Sequence, residues 1–260
     1  MHDTATTVDG FDRHLTDYGV WSTTLARALE SYREWCGSNR RLDSEQELNL
    51  LELVEELRGD AVTIALVGEF SRGKTELINA IFFSDYDRRL LPSTPGRTTM
   101  CPTEILYDDK NPPCIRLLPI ESRKSPLTIA DLKNKPVNWT TLPLQTDSPG
   151  AMANTLGEIL KSKLIDKQEA NELGLGAMTA DLRSDCEQVE VPVWRHAVIN
   201  YPHRLLSQGL VVVDTPGLNA LGAEPELTLG TLPNAHAILF VLAADTGVTR
   251  TDMEIWANHV

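Results

Sequence analysis

Gly68-Glu69-Phe70-Ser71-Arg72-Gly73-Lys74-Thr75 satisfies G-x-x-x-x-G-K-[ST] in full. Its glycines let the backbone turn tightly, so that successive N–H groups and the following helix N-terminus face one concavity suited to phosphate oxygens. Lys74 brings a mobile ammonium to the outer phosphates, and the Thr75 hydroxyl is placed for Mg²⁺. A second signal is Asp214-Thr215-Pro216-Gly217, directly after the apolar run Leu210–Val213. Alone it is an ordinary turn sequence. Behind a phosphate loop, Asp214 becomes a carboxylate that holds Mg²⁺ through a water, and the Gly217 N–H can approach a γ-phosphate because no side chain intervenes. Between the two lies the turn-rich segment Thr94–Glu104, which reads as a mobile loop. A threonine in it could close over a nucleotide, with its hydroxyl on the metal and its carbonyl on the attacking water.

These groups need a strand, a turn and a helix to hold them. Ala61–Val67 is a short β-rich run, and Lys74–Phe83 follows as a helix with Leu77, Ile78 and Ile81 inward. Further strands are expected at Thr103–Tyr107, Cys114–Pro119, Val191–Tyr201, Leu210–Val213 and Ala237–Ala243, with helices at Ala151–Leu173 and Arg250–Asn258. The order implies an α/β three-layer sheet. Upstream, Phe11, Leu15, Tyr18, Ser22, Leu25, Leu29, Tyr32 and Cys36 recur at helical spacing. A second helix is expected after a Ser44/Glu47 capping box and ends at Gly59. The seam of this hairpin could pack on the globular domain or join helices from elsewhere. Residues 120–190 are polar and Pro-interrupted, and read as an insertion at the edge of the domain.

Composition excludes several classes. Lys plus Arg number 24 against 37 Asp plus Glu, and a formal charge of -13 disfavours nucleic acid. Cys36, Cys101, Cys114 and Cys186 stand far apart without a C-x-x-C pair, against both a zinc site and a disulfide framework. A cytoplasmic setting fits. No run of eighteen apolar residues occurs, so membrane contact is expected to be peripheral. His196, His203 and His236 lack ligand spacing and read as structural, and Trp194 and Trp256 read as core.

At this point the chain resembles the dynamin superfamily, and especially its bacterial dynamin-like branch. The phosphate loop continues as Glu76-Leu77-Ile78-Asn79-Ala80, close to the G-E-F-x-x-G-K-S-x-L-I-N-A form of that branch. Thr99-Met100-Cys101-Pro102 looks like the T-x-x-P of the dynamin switch I, which favours Thr99 over Thr98 as the catalytic threonine. Tyr201-Pro202-His203 ahead of Asp214 is also similar to the family. The resemblance implies a P-loop NTPase fold: a dynamin-type G domain over 60–260, incomplete at its C-terminus, after a helical hairpin over 1–59. It implies nucleotide contacts from Gly68, Glu69, Phe70, Ser71, Arg72, Gly73, Lys74, Thr75, Glu76, Asp214, Thr215, Pro216 and Gly217, with Mg²⁺ on Thr75, Thr99 and, through water, Asp214. Ser71, Lys74, Thr99 and Gly217 fall on catalytic positions, and Arg72 is a candidate for neutralising developing charge.

The implied activity is hydrolysis of GTP to GDP, raised when two G domains meet as a homodimer or as a heterodimer with a related protein, and coupled to membrane remodelling or tethering. Phe70 stands where eukaryotic dynamins carry a catalytic glutamine, and Leu218 where Ras-like GTPases carry theirs, so water must be oriented otherwise. Asn134-Lys135-Pro136-Val137 lacks the aspartate of the base-reading N/T-K-x-D motif. The chain is therefore expected to be part of a longer protein, with its peripheral membrane-binding region downstream. Two alternatives stay open: a nucleotide-switched binding module with slow hydrolysis, and an Era-like ribosome-associated GTPase. Without a base-reading motif, ATP also remains open.

Overall fold

The computed structural model describes residues 4–39, 41–58, 61–69, 72–92, 101–133, 135–175, 188–216, 235–245 and 247–259. Phe70, Ser71, Thr98, Thr99, Cys186, Gly217 and Leu218 lie outside the described residues. The chain divides into two compact units, one of Met1–Val62 with Gln208–Leu210, the other of Thr63–Ser207 and Val211–Val260.

In the first unit, α1 (Thr4–Ser38) and α2 (Ser44–Arg58) form the expected hairpin. Small residues set their approach: Ser22 and Ala26 are buried, and the Ser22 hydroxyl donates to the Leu57 carbonyl. Cys36 and Val54 complete the interior, whereas Tyr32 of the expected seam is 51% exposed. Bulky aromatics cannot enter a contact drawn tight by serine and alanine. The cap of α2 also falls one residue earlier than expected. Gln46 N donates to Asp43 Oδ1 at 2.8 Å and Asp43 N to Gln46 Oε1 at 3.3 Å, a reciprocal box built on aspartate and glutamine.

The second unit is built on a seven-stranded mixed sheet. Its strands are β1 (Val62–Val67), β2 (Thr103–Leu106), β3 (Cys114–Pro119), β4 (Thr140–Pro143), β7 (Trp194–Asn200), β8 (Leu210–Asp214) and β9 (Ala237–Phe240), in the order β4-β3-β7-β2-β8-β1-β9. β1 runs parallel to β9 and β2 parallel to β7, while β2 lies antiparallel to β8 with Thr103 opposite Asp214. Helix α3 (Lys74–Phe82) follows β1 and buries Ile78, Asn79 and Phe82. Ile81, expected inward, is 40% exposed. The polar Asn79 takes the inner place because both its polar atoms are bonded: Oδ1 accepts from Leu90 N at 3.2 Å and Leu91 N at 2.9 Å, and Nδ2 donates to Leu91 O at 2.9 Å. His236 is structural as expected, its Nδ1 accepting from Thr63 N at 3.1 Å beside the β1–β9 ladder. Trp256, expected in the core, is 59% exposed on α7 (Arg250–His259).

The insertion departs most from expectation. Instead of one helix over 151–173, the chain forms α5 (Pro149–Leu156), a 3₁₀ turn at Gly157–Leu160, strand β5 (Ser162–Asp166) and helix α6 (Lys167–Glu172). β5 pairs with β6 (Gln188–Pro192) in a separate ribbon, and Val193 separates β6 from β7 within the stretch expected as one strand. Pairing with a distant strand overrides local helical preference here. Asp166 caps α6 by accepting from Glu169 N at 2.7 Å. Ile120, Ile165, Ala170, Leu173, Leu175, Val189 and Val191 give the insertion its own apolar cluster.

The insertion also grips the main sheet through charge. Lys133 of α4 (Ile129–Lys133) donates to Glu104 Oε1 and Oε2 at 2.6 and 2.7 Å, and His196 Nε2 lies 3.1 Å from Oε1. Burial alone would raise the Glu104 carboxyl, but the His196 and Lys133 hydrogen bonds and charges outweigh it and hold the group down at about 2. A depressed folded value contributes stability that is complete above the ordinary carboxylate range and is lost as pH falls through the folded value. Chemical unfolding followed from about pH 5 down to about pH 2 is therefore expected to show the parent losing roughly 2 kcal/mol that Glu104→Gln does not lose. Equal losses in the two proteins would refute the ion triad.

Candidate nucleotide and magnesium site

β1 ends in three buried residues, Ala65, Leu66 and Val67, and delivers the chain to Gly68. Here glycine is a steric requirement: a Cβ would lie 2.5 Å from the Val241 carbonyl oxygen. Gly73 has φ of 88°, a left-handed conformation that opens α3 and that side-chain-bearing residues avoid. Lys74 is 7% exposed, and its Nζ donates to Gly68 O at 2.6 Å and Glu69 O at 3.1 Å. Burial lowers its pKa, opposed by the Asp214 charge and assisted by that of Arg72.

β8 lies beside β1 and places Asp214 next to the start of α3. The Thr75 hydroxyl donates to Asp214 Oδ2 at 2.8 Å. Asp214 is 2% exposed, and its Oδ1 is buried with no hydrogen-bond partner among the described residues. Burial pushes the carboxyl up to about 6, against the Thr75 hydrogen bond and the Lys74 charge. Thr215 locks the turn that follows, its hydroxyl donating to Leu66 O at 2.6 Å. Pro216 continues from it, buried, and Glu76 pairs with Arg89 at 3.1 Å near the surface.

This donor set fits Mg²⁺. A hard cation takes oxygen ligands and keeps waters, so one hydroxyl, one water-bridging carboxylate and substrate phosphates suffice. The buried unbonded Asp214 oxygen beside the Thr75 hydroxyl is such a set. No cluster of three His, Cys, Asp or Glu suited to a metal occurs among the described residues.

Of the expected site residues, the structure brings Gly68, Glu69, Gly73, Lys74, Thr75, Asp214 and Thr215 to one corner of the sheet. Four contributors were not anticipated: Thr103, Ile159, Leu160 and Thr249. A cavity beside Thr75 and Asp214 is also lined by Thr103 and by Ile159 and Leu160 of the insertion. Thr249, at the start of α7, donates to Glu69 Oε1 at 2.7 Å, while Glu69 forms an ion pair with Arg72. A T-x-x-D cap over Thr249–Asp252 was visible in the sequence; its contact with Glu69, 180 residues away, was not.

A profile of the Dynamin family matches residues 64–260. The chain belongs to the dynamin family. Dynamin-family G domains are GTPases. A bacterial dynamin-like protein of Nostoc punctiforme is 26% identical over 224 residues, covering 86% of this chain and 26% of that protein. The isoniazid-induced protein IniA of Mycobacterium tuberculosis is 45% identical over 60 residues, 22% of this chain and 9% of that protein. The chain thus spans about a quarter of the length of the first relative. Two solved structures of an oligomerised bacterial dynamin pair, described as sensing and tethering membranes at long range, align at 23% and 17% identity with TM-scores of 0.38 and 0.42. They cover 83% and 92% of this chain, and 26% and 36% of their own. No helix among the described residues is long and apolar enough to cross a membrane.

Proposed function

We propose that this dynamin-family chain binds GTP with Mg²⁺ at the Gly68–Thr75 loop, hydrolyses it, and associates through its G domain with a second copy or a related partner. The observation that carries this reading is the Thr75 hydroxyl at 2.8 Å from a buried Asp214 carboxylate, one residue beyond an ammonium held by the loop's own carbonyls. Lys74 exchanges those carbonyls for phosphate oxygens, gaining charge-assisted bonds to anionic acceptors. Thr75 and Asp214 would hold Mg²⁺. When bound, Mg²⁺ neutralises charge on the β- and γ-phosphate oxygens.

Backbone N–H groups of the loop, Ser71 among them, cradle the phosphates, and Gly217 offers its N–H to the γ-phosphate. In the absence of a glutamine at position 70 or 218, the Thr99 carbonyl orients the attacking water, and Arg72 neutralises developing charge. Turnover is coupled to remodelling or tethering of a membrane that the protein meets peripherally, at the cytoplasmic face. The acidic chain does not take nucleic acid as its partner.

Phosphate release measured with GTP and with ATP, over a hundredfold range of protein concentration, tests the reading. Preference for GTP and a specific rate that climbs with concentration are expected. A specific rate that stays flat points instead to a nucleotide-switched binding module, and equal use of ATP removes the guanine assignment.

A further inference from the structure

We propose that Glu69 and Thr249 are positioning residues for the Arg72 guanidinium, tying it to the N-terminus of α7 so that it is already oriented when phosphate enters the loop. The inference deepens the proposed function, because it rests on the role given there to Arg72.

Three contacts carry it. Arg72 Nη2 pairs with Glu69 Oε2, with side chains only 8% and 17% exposed. The second carboxylate oxygen, Oε1, accepts from the Thr249 hydroxyl at 2.7 Å. That hydroxyl in turn accepts from Asp252 N at 3.2 Å, and Asp252 Oδ2 accepts from Thr249 N at 2.9 Å, the reciprocal cap of α7. The single proton of the Thr249 hydroxyl goes to Glu69 while a lone pair is taken by the helix amide, so its rotor is fixed at both ends. Asp252 is 2% exposed, which buries the foot of the chain.

The arrangement makes physical sense only if the orientation of Arg72 matters. An arginine side chain carries considerable rotamer entropy, and a planar fork held by a fixed carboxylate has lost it before substrate arrives. A guanidinium has five donors. One edge can stay with Glu69 while another meets phosphate, and a pre-oriented charge stabilises the transition state without reorganising when reaction occurs. The same cap without the Glu69 contact would stabilise α7 equally well, so helix capping does not explain why the hydroxyl proton is directed at the phosphate loop.

The test compares single-turnover GTP hydrolysis and GTP affinity in the full chain for Thr249→Val, Thr249→Ser, Glu69→Gln, Arg72→Ala and the Thr249→Val/Arg72→Ala double variant. Thr249→Val and Glu69→Gln are each expected to slow hydrolysis about tenfold with affinity held within about twofold. Thr249→Ser, which keeps the hydroxyl, restores the rate. Thr249→Val adds nothing in the Arg72→Ala background, because its effect passes through Arg72. A parent-like or faster rate in both Thr249→Val and Glu69→Gln overturns the inference, as does a full additional loss in the double variant. Where Thr249→Val fails to fold, Glu69→Gln alone decides. A parent-like rate for Arg72→Ala overturns the inference while leaving GTP hydrolysis standing, whereas failure of the parent chain to turn over GTP removes the underlying function.

Discussion

Replacing Lys74 with methionine is expected to lower kcat/KM for GTP by roughly a thousandfold while the chain stays folded. The side chain is 7% exposed and donates to two carbonyl oxygens of the loop proposed to bind the phosphates. Methionine keeps the length of the stem but carries no donor, so the charge-assisted bonds to phosphate are lost, at about 1.5–3 kcal/mol each. Two such bonds account for roughly the stated factor. The carbonyls of Gly68 and Glu69 lose a partner in the free protein, which costs on the order of 1 kcal/mol apiece and leaves a marginally weaker fold. Steady-state phosphate release and GTP titration, read beside a thermal melt, separate the two effects. Turnover within about threefold of the parent would end the assignment of this loop as a catalytic phosphate site.

The second large effect is expected at Asp214, where function and stability should part. Asp214→Asn removes the charge that would hold Mg²⁺ in the proposed site and should cut turnover about a hundredfold, with a higher Mg²⁺ concentration needed for half activity. Stability should move by no more than about 1 kcal/mol. The carboxylate is buried, one of its oxygens lacks a hydrogen-bond partner among the described residues, and burial opposes its ionised form. Asparagine keeps an oxygen for the Thr75 hydroxyl and removes the buried charge. A residue placed for packing would lose stability and activity together; a residue placed for a metal loses only the second. Coincident losses in urea titration and in turnover would therefore argue for a structural Asp214.

These expectations draw on residues whose roles were legible at different depths. The phosphate loop announces itself because its function depends on local backbone geometry. Gly73 is required by a positive φ, a property of its own backbone; at Gly68 the added demand, a Cβ that would lie 2.5 Å from the Val241 carbonyl oxygen, comes from across the sheet. The adjoining strand and helix are equally local: Val62–Val67 is β-branched and apolar, and Lys74–Phe82 has helical periodicity. Asn79 stood in the motif without an evident task. Its three bonds to Leu90 and Leu91 show that it pins the chain leading into the 93–100 segment, a task defined by residues 11 and 12 positions away.

The insertion was illegible for the opposite reason. Ala151–Leu173 has the composition of a helix, yet Ser162–Asp166 becomes a strand because Gln188–Pro192 offers it a partner. Glu104 read as one more carboxylate after a loop, and only its neighbours, Lys133 from the insertion and His196 from β7, turn it into a buried ion triad. The seam of α1 was drawn through Ser22 and Cys36, which are buried, but also through Tyr32, which is not; Ala26, outside the drawn seam, joins Ser22 in setting how closely α2 can approach.

The amino-acid order by itself determined the glycine-bearing turn proposed to grip phosphate, the lysine and hydroxyl that follow it, and the carboxylate that ends a strand, since each is set by residues close in sequence. The pairing of Thr75 with Asp214, 139 residues apart, was decided by the strand order that sets β8 beside β1, and the tie from Thr249 to Glu69 by where α7 begins. A hydrogen bond needs its partners within about 3 Å. Only the packed sheet brings residues so distant in sequence that close.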